Sequence, residues 1–214
     1  MKNPLPYSYL AVEGNIGAGK TSLARILSTK FNSALVLEEF AENTFLPQFY
    51  EQPERFAFPL EMSFLAERFQ QIKLEQQRAL ENQQVLVGDY IFEKSLLFAQ
   101  VNLSGAELDL FTRFYKLINP SLRSPDLVLY LHRSTPALLQ NIHTRGREYE
   151  KSIPAAYLDK LSEAYLDHLQ STHNQRVIIL KSDEIDFVNN PADLRFVMDL
   201  VQQEHPEKVL VLNP

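Results

Sequence analysis

Residues Gly14-Asn15-Ile16-Gly17-Ala18-Gly19-Lys20-Thr21 fill every fixed position of the pattern G-x-x-x-x-G-K-[ST]. The pattern constrains the fold because it operates only where a strand runs into a glycine loop and then a helix. Both flanks comply. Tyr9 to Glu13 (YLAVE) is short, apolar and rich in strand formers, and Ser22 to Phe31 (SLARILSTKF) has helix character. Glycines let successive N–H groups turn inward as an anion nest, and the helix N-terminus adds its dipole. Lys20 would reach the β- and γ-phosphates of a nucleotide, and Thr21 would offer its hydroxyl to Mg²⁺. The segment from Gly14 through Ser22 is therefore the expected binding site for a nucleoside triphosphate.

Four more apolar runs follow: Ala34 to Leu37, Val85 to Val87, Leu127 to Leu131 and Val177 to Leu180. None alternates with polar residues, so each reads as a strand buried on both faces, the pattern of a parallel sheet. Helices are expected over 53–82, 91–101, 105–118, 135–145, 154–172 and 191–204. Pro53, Pro136, Pro154 and Pro191 stand near four of these starts, where a missing N–H costs least. Strand and helix alternation predicts an α/β fold of the P-loop type: a doubly wound parallel sheet flanked by helices, with ligands at the C-terminal strand ends.

The 214 residues suit a single α/β domain spanning the chain. A formal charge of −6 gives no basic footprint, so a nucleic-acid polymer is not expected as a partner. With no cysteine, disulfides, thiol catalysis and thiolate-held zinc are excluded. The N-terminal MKNPLPYSY lacks the apolar core of a signal peptide, and no run has membrane-spanning length. A cytoplasmic protein with no membrane partner is expected.

Several charged residues stand at strand ends or on helices that could cover them. Glu38 and Glu39 follow the second run, where a carboxylate could take the proton of an attacking hydroxyl; solvated acids are the plainer alternative. Asp89 ends the third run, a position that commonly supports Mg²⁺ in nucleotide folds. Glu61 and Arg68 are seven residues apart on one helix, so they share a face about 10.5 Å apart along its axis. Set among Phe56, Phe58, Phe64 and Phe69, the pair could frame a flat heterocycle. Arg145 and Arg147, with Glu148 to Glu150 directly after, suit a closing lid over about residues 145–153 that neutralises a transferring phosphoryl group.

These residues carry a family resemblance. The series Glu38, Asn43, Phe49-Tyr50, Leu60-Glu61-Met62, Arg68, Asp89-Tyr90, Arg145-Gly146-Arg147 and Asp186-Phe187-Val188-Asn189-Asn190 resembles the bacterial deoxynucleoside kinases of the deoxyguanosine/deoxyadenosine kinase type, from about residue 8 to 200. The resemblance implies transfer of the ATP γ-phosphoryl to a deoxynucleoside 5′-hydroxyl, with Mg²⁺, in nucleotide salvage by a homodimer. By the same resemblance Glu38 receives the 5′-hydroxyl, and Tyr50 and Glu150 hold the 3′-hydroxyl. Arg145 and Arg147 are lid arginines, Glu61 and Arg68 read the base, and Asp186 and Phe187 cup the adenine of ATP.

Two departures stand out. Many members have an acid-Arg-Ser triplet where this chain has Asp89-Tyr90-Ile91, and Lys94 is the candidate replacement for the arginine. Many also carry glutamine at the position of Glu61. An ionised carboxylate only accepts hydrogen bonds, and guanine presents two adjacent donors, so deoxyguanosine is favoured and deoxyadenosine comes next. The competing readings are a nucleoside monophosphate kinase such as a thymidylate kinase, and a catalytically silent kinase-like subunit. A GTP-hydrolysing switch lacks a recognisable guanine-reading motif here. Apolar surplus on 53–82 and 91–118 suggests a helical dimer interface, with plain internal core as the alternative.

Overall fold

The structure, a computed structural model, describes residues 5–39, 43–171 and 175–213. Among these, six strands build one sheet in the order β2-β3-β1-β4-β5-β6. They are β1 (Tyr9–Gly14), β2 (Ala34–Val36), β3 (Leu86–Gly88), β4 (Leu127–His132), β5 (Arg176–Lys181) and β6 (Val209–Leu212). Every pairing is parallel; β1 runs beside β4 from Leu10↔Leu127 to Gly14↔Leu131. The helices are α1 (Lys20–Phe31), α2 (Phe45–Glu51), α3 (Pro53–Glu81), α4 (Lys94–Asn102), α5 (Gly105–Ile118), α6 (Thr135–Arg145), α7 (Ala155–Ser171) and α8 (Pro191–Gln202). Residue 172, expected to end the seventh, lies outside the described residues.

The apolar strands do not alternate because both sheet faces are buried. Leu10 and Val12 pack into one core with Leu23 and Leu27 of α1, Leu138 and Ile142 of α6, and Val197 and Val201 of α8. Tyr9 and Ala11, pointing the opposite way, pack into a second core with Leu60 and Phe64 of α3, Leu97 of α4, Phe111 of α5 and Tyr165 of α7. With side-chain direction reversing at each residue, β1 feeds two cores at once. Pro53 and Pro191 are the first residues of their helices and Pro136 the second, while Pro154 immediately precedes α7.

Three elements differ from expectation. The fourth helix begins at Lys94 rather than at residue 91. The Ile91 N–H is held by the buried Glu13 carboxylate, and Ile91 and Phe92 turn into the core before the helix starts. The second is α2, a short helix carrying Pro47 in its first turn, where proline is tolerated. The third is β6, a partly exposed edge strand that the sequence reading did not include among its strands. Among the described residues, no helix is long and apolar enough to cross a membrane.

Candidate active site

Gly14 through Thr21 join the C-terminal end of β1 to the first turn of α1, and β1 lies centrally with later strands on both sides. That places the loop in the crevice at the strand ends. Gly19 caps α1 in the left-handed region at φ 94°, and Gly17 lies there at φ 85°. A Cβ on Gly17 would come within 2.7 Å of the Leu138 carbonyl oxygen, so the loop is packed against α6 and accepts no side chain there. Neighbouring amides fix it further. Asn141 donates to the Gly17 carbonyl at 2.8 Å, and Asn15 donates to the Leu158 carbonyl at 2.7 Å and to Ser162 Oγ at 2.8 Å. Lys20 Nζ donates to the Asn15 carbonyl at 3.0 Å. Burial, with Lys94 alongside, lowers the Lys20 pKa to about 8 against the pull of Glu13, Glu38 and Asp89.

Glu13, the residue before the loop, is fully buried. Its Oε1 accepts from the Gly14 N–H and the Tyr165 hydroxyl, and its Oε2 accepts from the Ile91 N–H at 2.9 Å. Burial raises its pKa although Lys94 and Lys20 oppose the shift. One carboxyl thus joins the phosphate loop to the segment after β3.

Glu38 and Asp89 stand just beyond the ends of β2 and β3, which are hydrogen-bonded neighbours. The strands bring the two acids together. Asp89 Oδ1 accepts from the Glu38 N–H at 2.8 Å, and Asp89 Oδ2 accepts from Thr21 Oγ1 at 2.6 Å. Burial and the neighbouring Glu38 raise the Asp89 pKa, while the bonds from Thr21 and the Glu38 amide hold it back. Arg68 Nε and Nη2 both donate to Glu38 Oε1, at 2.8 and 2.7 Å, and Lys94 Nζ donates to Oε2 at 2.6 Å. Burial alone would push the Glu38 carboxyl up, but the two cations hold it well below the usual carboxylate range. Arg68 also donates to Ser95 Oγ at 3.0 Å and lies 4.6 Å over the Phe64 ring. Arg68 thus turns toward Glu38 rather than pairing with Glu61. Tyr90, at the position of the missing arginine, is fully buried and donates to Gln71 Oε1 at 2.9 Å.

Glu61, only 1% exposed on α3, accepts from Asn102 Nδ2 at 2.7 Å through Oε1; among the described residues its Oε2 has no partner. On the far side of the site, Arg145 pairs with Glu150 Oε2, and Arg147 reaches Oε1 at 3.2 Å. Glu150 is buried while both arginines stay about one-third exposed. Tyr50 stacks on Tyr149 with ring centroids 6.2 Å apart, which brings the second helix against the 148–150 turn. Burial first, then the nearby Tyr157 and Glu150, raise the Tyr50 pKa well above its ordinary value.

A cleft of about 1420 Å³ opens at the strand ends; its lining includes Gly17 to Ser22, Glu38, Arg145, Arg147 and residues 183–189. Tyr50, Glu61, Arg68, Asp89 and Glu150 are not among its lining residues. Phe187 is buried, and its Cζ lies 3.2 Å from where a Cβ on Gly19 would sit. Asp186 caps its own loop by accepting from the Val188 and Asn189 N–H groups, and its own N–H is taken by Asp193.

The sequence reading did not single out Glu13, Ser95, Asn102 or Asn141, nor Arg133, which lines the cleft and donates to the Ile185 carbonyl at 3.0 Å. Glu13 carried a visible signal, an acid in an apolar strand directly before the glycine loop. The others act through contacts between distant segments and carry none.

The comparisons with known proteins agree with this geometry. Residues 10–205 match the family model of the deoxynucleoside kinases. The chain is 34% identical to a deoxyguanosine kinase from Bacillus subtilis (strain 168) over 199 residues, covering 91% of this chain and 96% of that one. It is 30% identical to a deoxyadenosine kinase from Dictyostelium discoideum, covering 88% of this chain and 77% of that one. A solved structure of deoxyadenosine kinase from M. mycoides with bound dCTP has the same fold, with TM-score 0.76 and 23% identity over 90% of this chain and 97% of that one. A phosphate loop facing an ionised acid across a cleft, on this fold and with these relatives, leads to one conclusion: the chain belongs to the deoxynucleoside kinase family, enzymes that phosphorylate deoxynucleosides.

Proposed function

We propose that the protein transfers the γ-phosphoryl group of ATP to the 5′-hydroxyl of a purine deoxynucleoside, deoxyguanosine ahead of deoxyadenosine. The observation that carries this reading is the Glu38 carboxylate, held ionised by Arg68 and Lys94. Its backbone is tied to the same Asp89 that bonds Thr21 of the phosphate loop. An acid so strongly ionised is a weak base. That suffices, because phosphoryl transfer passes through a loose transition state in which positioning and charge neutralisation do most of the work. Glu38 orients the 5′-hydroxyl and takes its proton late. The 5′-oxygen forms a bond to the γ-phosphorus, the bond to the bridging oxygen breaks, and ADP leaves with that electron pair.

Lys20 reaches the β- and γ-phosphates from the loop, and Lys94 adds the charge that the absent arginine would have supplied. Arg145 and Arg147, about one-third exposed beside the cleft, close on the phosphoryl oxygens. Thr21 and Asp89, two hard oxygen donors already side by side, would hold a Mg²⁺ that keeps several waters and supplies positive charge beside the phosphates. Tyr50 and Glu150 receive the 3′-hydroxyl. Glu61 reads the base, with Arg68 in the same wall, and residues around Asp186 and Phe187 receive the adenine of ATP. The reading carries with it a single domain with a lid at about 145–153, a homodimer and a cytoplasmic location.

Replacing Glu38 by glutamine keeps the shape and removes the proton acceptor. The Glu38→Gln enzyme is expected to lose roughly 10²-fold or more in kcat for deoxyguanosine, the scale of acid–base contributions. An unchanged kcat would remove Glu38 from this role.

A further inference from the structure

Among the described residues, Glu61 is held by only one of its two carboxyl oxygens. Asn102, the last residue of α4, donates its amide to Oε1 at 2.7 Å and also bonds the Tyr157 hydroxyl of α7. Because Oε1 already accepts a donor, a proton on this carboxyl resides on Oε2, the buried oxygen without a partner. Buried polar atoms are rarely left alone, and an orphan of this kind calls for an explanation. On the reading that Glu61 faces the base, which the inference rests on, the orphan is the atom a purine would meet.

We propose that Glu61 selects between purines by its own protonation state. Ionised, the carboxylate offers two acceptors and matches guanine, whose N1–H and N2–H are adjacent donors. Protonated on Oε2, it offers one donor and one acceptor and matches adenine, whose N1 accepts while its N6 amino group donates. Oε1 can take the second hydrogen bond in either state because it has two lone pairs. No bond is made or broken beyond the proton shared with water.

The charged and titratable groups around Glu61 let both states occur near neutrality. Burial raises its pKa to about 7; Arg68 on its own helix, Asn102 and Lys94 on α4 pull it down, and Glu38 beyond β2 pushes it up. Tyr157 faces it from α7 with its own pKa raised by burial and by Glu61, so that phenol stays neutral. The sum is a carboxyl that changes state within the range where an assay can be run. Guanine N1 stays protonated and adenine N1 unprotonated throughout that range.

The test is the ratio of kcat/KM for deoxyguanosine to that for deoxyadenosine, measured with ATP and Mg²⁺ between pH 6 and pH 8. Taking the ratio cancels the titration of ATP, Lys20 and every other group that acts equally on both substrates. The ratio is expected to rise with pH by about tenfold or more over this range, against a limit of about tenfold per pH unit for one proton. In Glu61→Gln, a fixed donor and acceptor, it should be flat and shifted toward deoxyadenosine. A flat ratio in the wild-type enzyme overturns the proposal without any variant being needed, and so does an equal slope in Glu61→Gln. If neither nucleoside is phosphorylated, the kinase reading itself fails and this inference falls with it; turnover of both with a flat ratio sinks the inference alone.

Discussion

The ammonium of Lys94 sits 2.6 Å from Glu38, and the residue is only 4% exposed, five residues beyond the Asp89 that bonds Thr21. A buried lysine needs a partner and is strongly held once it has one. Here it fixes Glu38 from the first turn of α4, and on the proposed reading it also supplies the positive charge of the missing arginine. Lys94→Ala is therefore expected to lower kcat by about 10²-fold, the scale of one lost charge contact to a transition state. Lys94→Arg should recover part of that loss. A near-normal kcat in Lys94→Ala would remove the residue from the site, and failure of arginine to recover any activity would point to packing alone.

At the scale of elements, much was legible because local signals agreed. α5 and α6 run over 105–118 and 135–145 as their patterns predicted, each bounded by turn or cap residues. The five short apolar runs became strands because both faces are covered. What was not legible depended on contacts between segments. Ile91 was expected in a helix, yet its N–H is captured by Glu13 from another strand. The pairing of Glu38 with Arg68 spans 30 residues, and no spacing rule announces it. The orphan oxygen of Glu61 likewise emerges only once α3 and α4 are packed together. The glycine loop was the opposite case, since its residues state their own geometry. Gly17→Ala tests that geometry, because a Cβ would meet the Leu138 carbonyl oxygen at 2.7 Å in a backbone region that disfavours side chains. We expect ATP affinity, read by calorimetry, to fall at least tenfold, which is about 1.4 kcal/mol and within the usual cost of such strain. Gly105→Ala, where nothing lies within 4 Å, should leave that affinity unchanged. Equal affinity in the two variants would mean that α6 does not shape the loop.

For the whole molecule, the surface of α3 and α5 carries exposed apolar residues that no core uses. Leu80 is 80% exposed and Leu117 75%, with Leu74 and Phe114 also open to solvent. Scattered apolar residues are ordinary, but four on two helices that pack on one another suit a contact between copies. Light scattering during size exclusion is expected to give twice the 24.7 kDa chain mass, and a value near one chain would reject the dimer. Arg68 and Lys94 are both engaged by Glu38, so an acceptor bearing a phosphate dianion would meet a carboxylate and two committed cations. The measurement that tests this most directly is phosphoryl transfer from ATP with Mg²⁺ to deoxyguanosine, deoxyadenosine, deoxycytidine, thymidine and dTMP side by side. The prediction is turnover of the purine deoxynucleosides, deoxyguanosine first, with dTMP inert. Activity on dTMP alone would contradict the account and remove Glu38 from the role given to it.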